Sequence, residues 1–302
     1  MESIIIAGGS GMIGDRLSQL LLNKGFNPVI LSRRKRKNTD TLKFVIWDPE
    51  TPTIADWPEG KKYVINLSGA GIADKRWTSS RKSEILSSRI LSTRLLVNMI
   101  EKDKENIVGF LSASAIGYYG DGASKKLIEE MAPITKEFLS EVCVKWEQEA
   151  LRASQFIENV CILRIGTVLA DSGGALVEMD RTIPFGMANY LGDGQQYISW
   201  IHIDDLTEMI LYCCNARLKG TYNAVAPNPR TNKEFMKCLR DVTNSRAVLL
   251  PAPAFAIKSI FGELSRLVLN SSYVMSTKIT QSGFIFRYPN LKEALQEIYQ
   301  KE

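Results

Sequence analysis

Histidine is almost missing from this chain of 302 residues, and long apolar runs are missing altogether. Because His202 is the single histidine, a metal site built from several histidines is excluded, and we expect no metal ion. No uninterrupted apolar stretch approaches the roughly 18 residues that a membrane-spanning helix requires, so we expect no membrane partner. The formal net charge of +5 is small for this length and gives no reason to expect a nucleic-acid partner.

Cysteine is scarce, and the spacing of the cysteines does not indicate a metal site. The five cysteines are odd in number and lack the spacing of zinc sites. They are Cys143, Cys161, Cys213, Cys214 and Cys238. This usage is typical of reduced, mostly buried thiols, and we expect no signal peptide ahead of the first apolar run. Both observations predict a cytoplasmic protein.

Near the N-terminus an apolar run ends in three glycines that are spaced three residues apart. Leucines on one helical face follow at once, so the segment predicts a strand, a tight turn and a helix. Such a turn points backbone N–H groups at one spot and can hold a pyrophosphate. The predicted contacts are Gly8, Ser10, Gly11, Met12, Ile13 and Gly14. The alternative is a glycine-rich turn that is packed tightly for structural reasons.

Strand patterns alternate with helical patterns through the first two thirds of the chain. The predicted strands are Ser3–Ala7, Pro28–Leu31, Lys43–Ile46, Tyr63–Leu67, Ile107–Ala113 and Val160–Ile165. The predicted helices are Met12–Lys24, Arg81–Lys102, Lys136–Ser154 and Asp204–Asn215. This alternation predicts an α/β fold with a doubly wound parallel sheet and ligands at the carboxyl ends of its strands.

The last third of the chain changes character. Thr231 and Glu234 form a capping-box pattern, which predicts a helix from Asn232. Prolines divide the rest, with helices expected over Ala254–Leu269 and Leu291–Lys301. We therefore predict a dinucleotide-binding domain over residues 1–178 and 200–226. A smaller substrate-binding lobe over residues 179–199 and 227–302 would form the other wall of a cleft.

The residues after the second predicted strand bear on the choice of cofactor. An acidic residue usually binds the ribose hydroxyls of NAD at this position, but the chain has Ser32 and Arg33 followed by four more cations. A hydroxyl and a guanidinium suit a 2′-phosphate, so we predict NADP(H). The alternatives are a solvated basic loop, which we expect for Lys35 to Lys37, or a nucleic-acid patch without an aromatic platform.

Small residues also follow the run Tyr63–Leu67. At Leu67, Ser68 and Gly69 the backbone can pass close to the adenosine and its riboses, although an ordinary loop would look the same. In the next predicted helix, Glu84 and Arg89 are candidates to reach the riboses. Without a cofactor they would be ordinary surface charges.

Further segments complete a pattern that is known from a protein family. They are Gly8-x-x-Gly11-x-x-Gly14, Asn66-Leu-Ser-Gly69, Tyr118-Tyr-Gly120 and Trp200-Ile-His-Ile-Asp-Asp205. Together they resemble the extended short-chain dehydrogenase/reductase superfamily. Additional segments narrow this: Arg76-Trp77, Ser88-Arg89, Lys145-Trp-Glu147, Gly166-Thr-Val-Leu-Ala170, Gly173-Gly-Ala175, Gly192-x-Gly194-x-Gln196 and Phe261-Gly262.

The chain is thus similar to the atypical "epimerase family" branch, whose members are described as NAD-dependent epimerase/dehydratase-like and, in some bacteria, as cell division inhibitors. The resemblance runs over nearly the whole chain. It implies a Rossmann domain that binds NADP(H), a C-terminal substrate lobe, and a further cofactor contact at Val168. It is also compatible with a monomer or a homodimer.

The superfamily's catalytic pair is missing from this sequence. Its enzymes use a serine together with a tyrosine and a lysine in a Tyr-x-x-x-Lys pair. Ser114 stands at the serine position, but Leu139 and Cys143 occupy the other two. Lys145 lies roughly 200° around the helix from Cys143 and does not point to the same place.

Another group must therefore supply the proton if the protein is an enzyme. Tyr119 is the first candidate and Tyr118 the second, against the alternative that both rings merely wall the cleft. We expect Glu147, Asp193 and His202 to make structural hydrogen bonds, with Asp204 capping the helix that follows. In the lobe, Gln195, Gln196 and Trp200 are candidate substrate contacts.

Two main functions remain open, and a third, an interaction protein in cell division, rests on the family resemblance alone. One is an NADP(H)-dependent oxidoreductase or nucleoside-diphosphate-sugar epimerase that acts on a small molecule. The other is a catalytically weak or inactive NADP(H)-binding regulatory protein or sensor, which the missing pair favours.

Overall fold

The computed structural model describes residues 3–243 and 246–300. In chain order its strands are β1 Ser3–Ala7, β2 Val29–Ser32, β3 Lys43–Asp48, β4 Thr53–Ile54, β5 Lys62–Asn66, β6 Ile107–Ala115, β7 Lys126–Leu127, β8 Val160–Ile165, β9 Thr167–Leu169, β10 Met187–Leu191, β11 Tyr197–Ile198, β12 Trp200–His202, β13 Gly220–Ala224, β14 Arg230–Thr231, β15 Val248–Ala252 and β16 Tyr273–Val274.

Its α-helices connect these strands. They are α1 Met12–Asn23, α2 Ser79–Lys102, α3 Phe138–Leu151, α4 Ala175–Asp180, α5 Ile203–Asn215, α6 Asn232–Thr243, α7 Ala254–Phe261, α8 Arg266–Leu269, α9 Thr277–Gln281 and α10 Leu291–Tyr299. Within the described parts of the chain, no helix is long and apolar enough to cross a bilayer.

The main sheet has eight strands in the order β13-β8-β6-β5-β1-β2-β3-β4. All neighbours are parallel except β3 and β4, which are antiparallel. The chain builds outward from β1 in one direction and then returns to continue from β5 in the other. The strand order therefore reverses between β1 and β5, which is where doubly wound sheets bind their ligands. The Rossmann-type fold class predicted from the sequence is confirmed.

Apolar clusters cover both faces of the sheet. Alternate residues of β1 point to opposite faces, with Ile4 and Ile6 in one cluster and Ile5 in the other. Helices α1 and α5 pack on the first face, while α2 and α3 pack on the second. This two-sided burial is why the central strands are continuous apolar runs rather than alternating ones.

A separate apolar cluster holds together much of the C-terminal third. It gathers Phe235 and Leu239 of α6 with Leu291 and Leu295 of α10. Short strands join it, and β10 pairs with β15 in a two-stranded parallel sheet. The exact division into two domains stays a prediction.

In the C-terminal third, some helix bounds differ from the predictions and one predicted helix start is confirmed. The single helix predicted over Ala254–Leu269 is broken after Phe261, because Gly262 adopts a left-handed φ of 57°. The capping box is confirmed, since the Thr231 N–H donates to Glu234 and the Glu234 N–H donates to Thr231. The helix predicted over Leu291–Lys301 ends at Tyr299, and Lys301 lies outside the described residues.

Candidate functional site

The segment Gly8–Gly14, called the glycine turn below, lies at the reversal point of the sheet. Gly8 has a φ of 82°, and a Cβ on it would lie 2.6 Å from the Leu67 backbone at the end of β5. A Cβ on Gly14 would lie 2.4 Å from the Gly8 oxygen. The fold itself therefore requires glycine at both positions.

Gly11 is different from these two glycines. Its φ of −86° suits any residue, and a Cβ would meet nothing nearer than the Gly8 oxygen at 3.5 Å. Gly11 is exposed and begins α1, whose N-terminus has no side-chain cap. Packing within the chain does not explain this glycine, whereas the close approach of a ligand to the backbone does.

The other residues of the glycine turn differ in their exposure. Ser10 is exposed, while Met12 and Ile13 are partly buried. A Cβ on Gly174 would lie 3.4 Å from the Met12 side chain and 3.7 Å from the Val168 oxygen. The structure therefore brings Val168, 156 residues away in sequence, to the start of α1.

Ser32 is the last residue of β2, one residue beyond the predicted strand end, and Arg33 follows it, but only one of the two is available to a ligand. Ser32 is buried, and its hydroxyl donates to the Arg34 oxygen at 2.8 Å. Arg33 is exposed at the rim. A phosphate on this rim would thus meet the Arg33 guanidinium before it met the serine.

The turn after β5 is held by a buried polar network. The Asn66 side chain accepts from the backbone and hydroxyl of Ser68. It donates to Thr93 of α2 at 2.9 Å, and Thr93 also accepts from Trp146 of α3 at 3.1 Å. Two helices thereby fix the path of Leu67 and Ser68 next to Gly8.

Arg89 of α2 lies against the same turn. Its Nη1 atom donates to the backbone oxygens of Ala70 and Ile85 at 3.0 Å each, and its guanidinium lies 5.0 Å from the centre of the Trp146 ring. A Cβ on Gly69 would lie 3.0 Å from the Arg89 Cζ atom. Burial lowers the pKa of Arg89, and among the described residues no carboxylate pairs with it.

Glu84 is already engaged by a neighbour. Arg81 donates to it at 2.7 Å and also donates to the Gly71 oxygen. The hydrogen bond from Arg81, followed by the charges of Arg81, Lys75 and Arg33, lowers the pKa of Glu84. These cations therefore lie on the side of the site where Arg33 is exposed.

A second cluster lies at the carboxyl ends of β6 and β8, and we call it the arginine cluster. It consists of Ser114, Tyr118, Tyr119, Glu147 and Arg164. Arg164 donates to the Glu147 carboxylate through Nε at 2.9 Å and Nη2 at 2.8 Å, and both side chains are almost fully buried. Ser114 donates to the same carboxylate at 2.6 Å.

The two tyrosines occupy different environments in this cluster. Tyr119 is fully buried, and its hydroxyl donates to Asn223 at 2.8 Å and accepts from Arg164 at 3.0 Å. Burial raises the pKa of Tyr119 to about 12. Tyr118 is only partly buried, and its ring centre lies 3.4 Å from the Arg164 guanidinium.

This difference reverses the order of the two candidates. Among the described residues none bonds the Tyr118 hydroxyl, and this oxygen is not among the buried unpaired atoms. The Tyr119 hydroxyl has no exposed side and both of its partners are inside the protein. The geometry therefore favours Tyr118 over Tyr119 as a group that reaches a substrate.

The positions of the missing catalytic pair are where the count along α3 places them. A Cβ on Gly117 would lie 3.6 Å from Leu139 and 4.0 Å from the Cys143 sulfur. Burial, followed by the Glu147 charge, raises the pKa of Cys143 to about 11, so the thiol stays protonated at neutral pH. Lys145 is exposed and lies away from both.

His202 has a structural role. It is buried, its Nδ1 atom accepts from the Asp204 N–H at 3.1 Å, and Nε2 lies 2.9 Å from Glu297. The prediction that Asp204 caps α5 is therefore wrong. His202 is the N-cap of this helix, and Asp204 forms an ion pair with Arg16 at 2.6 Å instead. His202, Asp204 and Glu297 lie close enough together to hold a cation, but both imidazole nitrogens are already in use.

Two candidate substrate contacts are not available to a substrate. Trp200 is fully buried and donates to the Asn228 oxygen at 3.2 Å. Gln196 is buried and donates to the oxygens of Leu191 and Val268. Gln195 is exposed. Trp200 is buried because it packs in the C-terminal apolar cluster.

Arg164 and Asn223 are the functional candidates that the sequence interpretation missed. Strand register places Ser114 of β6 and Asn223 of β13 on either side of Arg164 in β8. A signal for Arg164 was present, because an arginine inside a six-residue buried strand needs a buried partner. Asn223 gave no comparable signal.

Comparisons with known proteins identify the family and the fold. The model of the NAD dependent epimerase/dehydratase family matches residues 4–224, and a domain of unknown function, DUF1731, matches residues 252–298. Epimerase family protein YfhF of Bacillus subtilis is 34% identical, with coverage of 98% of this chain and 97% of the relative. The chloroplastic SDR39U1 homolog of Arabidopsis thaliana is 36% identical, with coverage of 99% and 87%.

A solved structure is similar over its full length. The crystal structure of human epimerase family protein SDR39U1 (isoform2) with NADPH has a TM-score of 0.89 and 27% identity, and it covers 99% of this chain and 100% of that one. The family match spans most of the chain, and the match at the C-terminus is separate. The chain belongs to the NAD dependent epimerase/dehydratase family, in the atypical epimerase-family branch of the extended short-chain dehydrogenases/reductases.

Proposed function

We propose that this protein is an NADP(H)-dependent oxidoreductase or epimerase that acts on a small molecule with a carbonyl or hydroxyl group. The observation that carries the proposal is Gly11, a glycine that the fold does not require, at the uncapped N-terminus of α1. Backbone N–H groups there suit a pyrophosphate. The human relative whose structure contains NADPH supports the same choice.

The cofactor contacts follow the chain around the reversal point of the sheet. Gly8, Ser10, Gly11, Met12, Ile13 and Gly14 would surround the pyrophosphate. Leu67, Ser68, Gly69 and Val168 would pass along the adenosine and the nicotinamide half. Arg89, a partly buried cation with no carboxylate partner among the described residues, would bind a ribose or phosphate oxygen.

Selectivity for NADP(H) over NAD(H) rests on Arg33. It is exposed at the end of β2, whereas the Ser32 hydroxyl is bound to Arg34. Glu84 does not replace the missing acidic residue, because Arg81 holds its carboxylate. A charge-assisted bond from Arg33 to a 2′-phosphate contributes about 1.5–3 kcal/mol, which is roughly a ten- to hundred-fold preference.

The proton-transfer role falls to Tyr118 in this proposal. A bound nicotinamide would supply or accept the hydride. When a carbonyl is reduced, the Tyr118 hydroxyl gives its proton to the carbonyl oxygen, and in the reverse direction it receives that proton. Ser114 and Tyr119 keep their hydroxyls on Glu147 and Asn223, and the Tyr119 ring packs edge-on against the Tyr118 ring with 5.4 Å between their centres.

Calorimetry tests the cofactor part. We expect NADPH to bind more tightly than NADH, and Arg33→Met to weaken NADPH roughly ten- to hundred-fold while NADH is unaffected. Lys35→Met is the matched control, because it removes one exposed charge from the same loop and should change affinity by less than about threefold. Equal affinities of the parent protein for NADPH and NADH would contradict the proposal.

Turnover tests the enzymatic part. NADPH oxidation is followed with a panel of small carbonyl compounds, and we expect Tyr118→Phe to lower kcat about 10²–10⁴-fold without weakening NADPH binding. Unchanged turnover would remove Tyr118 from the mechanism.

A regulatory or sensor protein is the second candidate. Leu139 and Cys143 beside Gly117 favour it, since neither can transfer a proton at neutral pH. Tight NADPH binding without oxidation by any compound of the panel would favour this candidate over the first.

A further inference from the structure

Three side chains that the sequence proposed for catalysis converge on one arginine that it did not propose. Arg164 contacts the Tyr119 hydroxyl at 3.0 Å, and its guanidinium lies 3.4 Å from the centre of the Tyr118 ring. It also binds Glu147, whose carboxylate accepts a hydrogen bond from the Ser114 hydroxyl at 2.6 Å. Arg164 thus contacts Tyr118 and Tyr119 directly and is linked to Ser114 through the Glu147 carboxylate.

The arginine itself has little freedom to move. Its Nε and Nη2 atoms are bound to the Glu147 carboxylate at 2.9 and 2.8 Å, and Nη1 donates to Tyr119 and to the Glu129 oxygen at 3.1 Å. The guanidinium plane is therefore set by the Glu147 carboxylate on α3, the Tyr119 hydroxyl and the Glu129 backbone oxygen. Because the planar guanidinium is held by three partners, it presents one defined face to the Tyr118 ring.

A buried ion pair is an expensive way to fill space. Apolar side chains of similar volume often stabilise a core equally well or better. The pair fixes an orientation, because its two hydrogen bonds hold the guanidinium and thus the face that contacts the Tyr118 ring. A methionine in its place would leave the Tyr118 ring several orientations.

We propose that Arg164 is a positioning residue that holds the Tyr118 ring so that its hydroxyl faces the bound substrate. This inference rests on the proposed function, in which Tyr118 transfers the proton. The backbone of Tyr118 is fixed separately, since its oxygen accepts from Ser140 at 2.8 Å. Arg164 therefore controls the ring and not the chain.

The experiment follows the ring directly. The protein is made with 3-fluorotyrosine, and the Tyr118 signal in the fluorine NMR spectrum is assigned by its loss in Tyr118→Phe. We expect Arg164→Lys to shift this signal beyond its line width and to broaden it, since the ammonium cannot present a flat face. The affinity of this variant for NADPH should stay within about threefold of that of the parent protein. We expect NADPH to shift the Tyr118 fluorine signal in the parent protein but not in the variant.

A second variant guards against a folding failure of the first. Glu147→Gln keeps the arginine and removes the charge that holds it, so the Tyr118 signal should shift in the same way. Arg94→Lys is the matched control, because Arg94 also forms a two-pronged pair with a glutamate, Glu149, but does so on the outer side of α2 and α3. Its Tyr118 signal should stay in place.

The outcomes separate this inference from the proposed function. An unmoved Tyr118 signal in a folded Arg164→Lys or Glu147→Gln variant overturns the inference, even if NADPH binds. If the parent protein fails to bind NADPH, the proposed function fails, while the signals of the ligand-free variants still decide whether Arg164 holds the ring.

Discussion

The glycine turn and the arginine cluster lie at the same carboxyl edge of one sheet, yet they satisfy their polar groups in opposite ways. The N-terminus of α1 has no side-chain cap, and Arg89 beside it has no carboxylate partner among the described residues. In the arginine cluster, Arg164, Glu147, Ser114 and the Tyr119 hydroxyl all bind one another or Asn223.

The difference shows which region needs a ligand. Backbone N–H groups without a cap, and an arginine that has no carboxylate partner among the described residues, would gain hydrogen bonds from an anion, so a ligand would satisfy groups that the glycine turn leaves open. The arginine cluster is already closed, so its contribution is to stability and to the orientation of Tyr118. Substitutions that obstruct a ligand at the glycine turn should affect binding, and substitutions that break the buried ion pair of the arginine cluster should affect folding.

The largest effect is expected when one partner of the buried pair is removed. Arg164→Met leaves the Glu147 carboxylate buried without its cation and should lower the free energy of unfolding by about 3–5 kcal/mol. Urea denaturation measures it. Arg94→Met is the control and should cost no more than about 1 kcal/mol, because Arg94 is half exposed and its partner Glu149 keeps a second cation, Arg152.

The double variant sharpens this prediction. Arg164→Met with Glu147→Leu removes both charges, so a large part of the loss should be recovered. If Arg164→Met costs no more than Arg94→Met, the closed arginine cluster does not have the energetic role assigned to it.

Two glycines of the same turn should separate folding from binding. Gly14→Ala places a methyl group 2.4 Å from the Gly8 oxygen, and such overpacking should lower stability by about 1–3 kcal/mol. Gly11→Ala meets no close atom, so its stability should change by less than about 1 kcal/mol.

NADPH affinity should respond to the second substitution. The new methyl group of Gly11→Ala stands where the pyrophosphate would approach, so affinity should fall at least about tenfold by calorimetry. An alanine at position 11 that leaves NADPH affinity intact would break the comparison between the two regions.

The smallest effect concerns pH and lies outside both regions. Burial lowers the pKa of His202, although Asp204 and Glu297 oppose it, so the folded protein keeps the imidazole neutral where the unfolded chain protonates it. Stability is therefore full above the ordinary histidine pKa of about 6.5 and falls as the pH drops below it, by at most about 1.4 kcal/mol per pH unit.

His202→Asn keeps an acceptor for the Asp204 N–H and removes the titrating group. Unfolding of both proteins is compared at two pH values on either side of the histidine pKa. The variant should lose less stability on acidification, and an equal loss in both proteins would exclude His202 as the cause.

Local patterns in the sequence were enough to predict much of the fold. The strands Ser3–Ala7 and Val160–Ile165 and the start of α1 at Met12 agree with the structure, because apolar runs and glycine turns are local signals. The break at Gly262 was missed, since a glycine inside an apolar helical pattern does not by itself reveal its φ.

The candidate site was less predictable from the same patterns. Residues that follow strands, such as Arg33 and Ser68, were found because strand ends meet at one edge of the sheet. Arg164 and Asn223 were missed, because their role depends on which strands become neighbours and in which register. The burial of Tyr119 next to the partly exposed Tyr118 depends on the same packing.

The sequence by itself determined the alternation of strands and helices, the glycine turn, the basic residues after β2 and the loss of the tyrosine–lysine pair. These are properties of residue type and spacing along the chain. Only the tertiary structure decided that Gly11 is not required by packing while Gly8 and Gly14 are, that Ser32 is engaged while Arg33 is exposed, and that Arg164 lies between Ser114 and Asn223. The physical reason is that burial, register and steric contact are set by residues far apart in sequence.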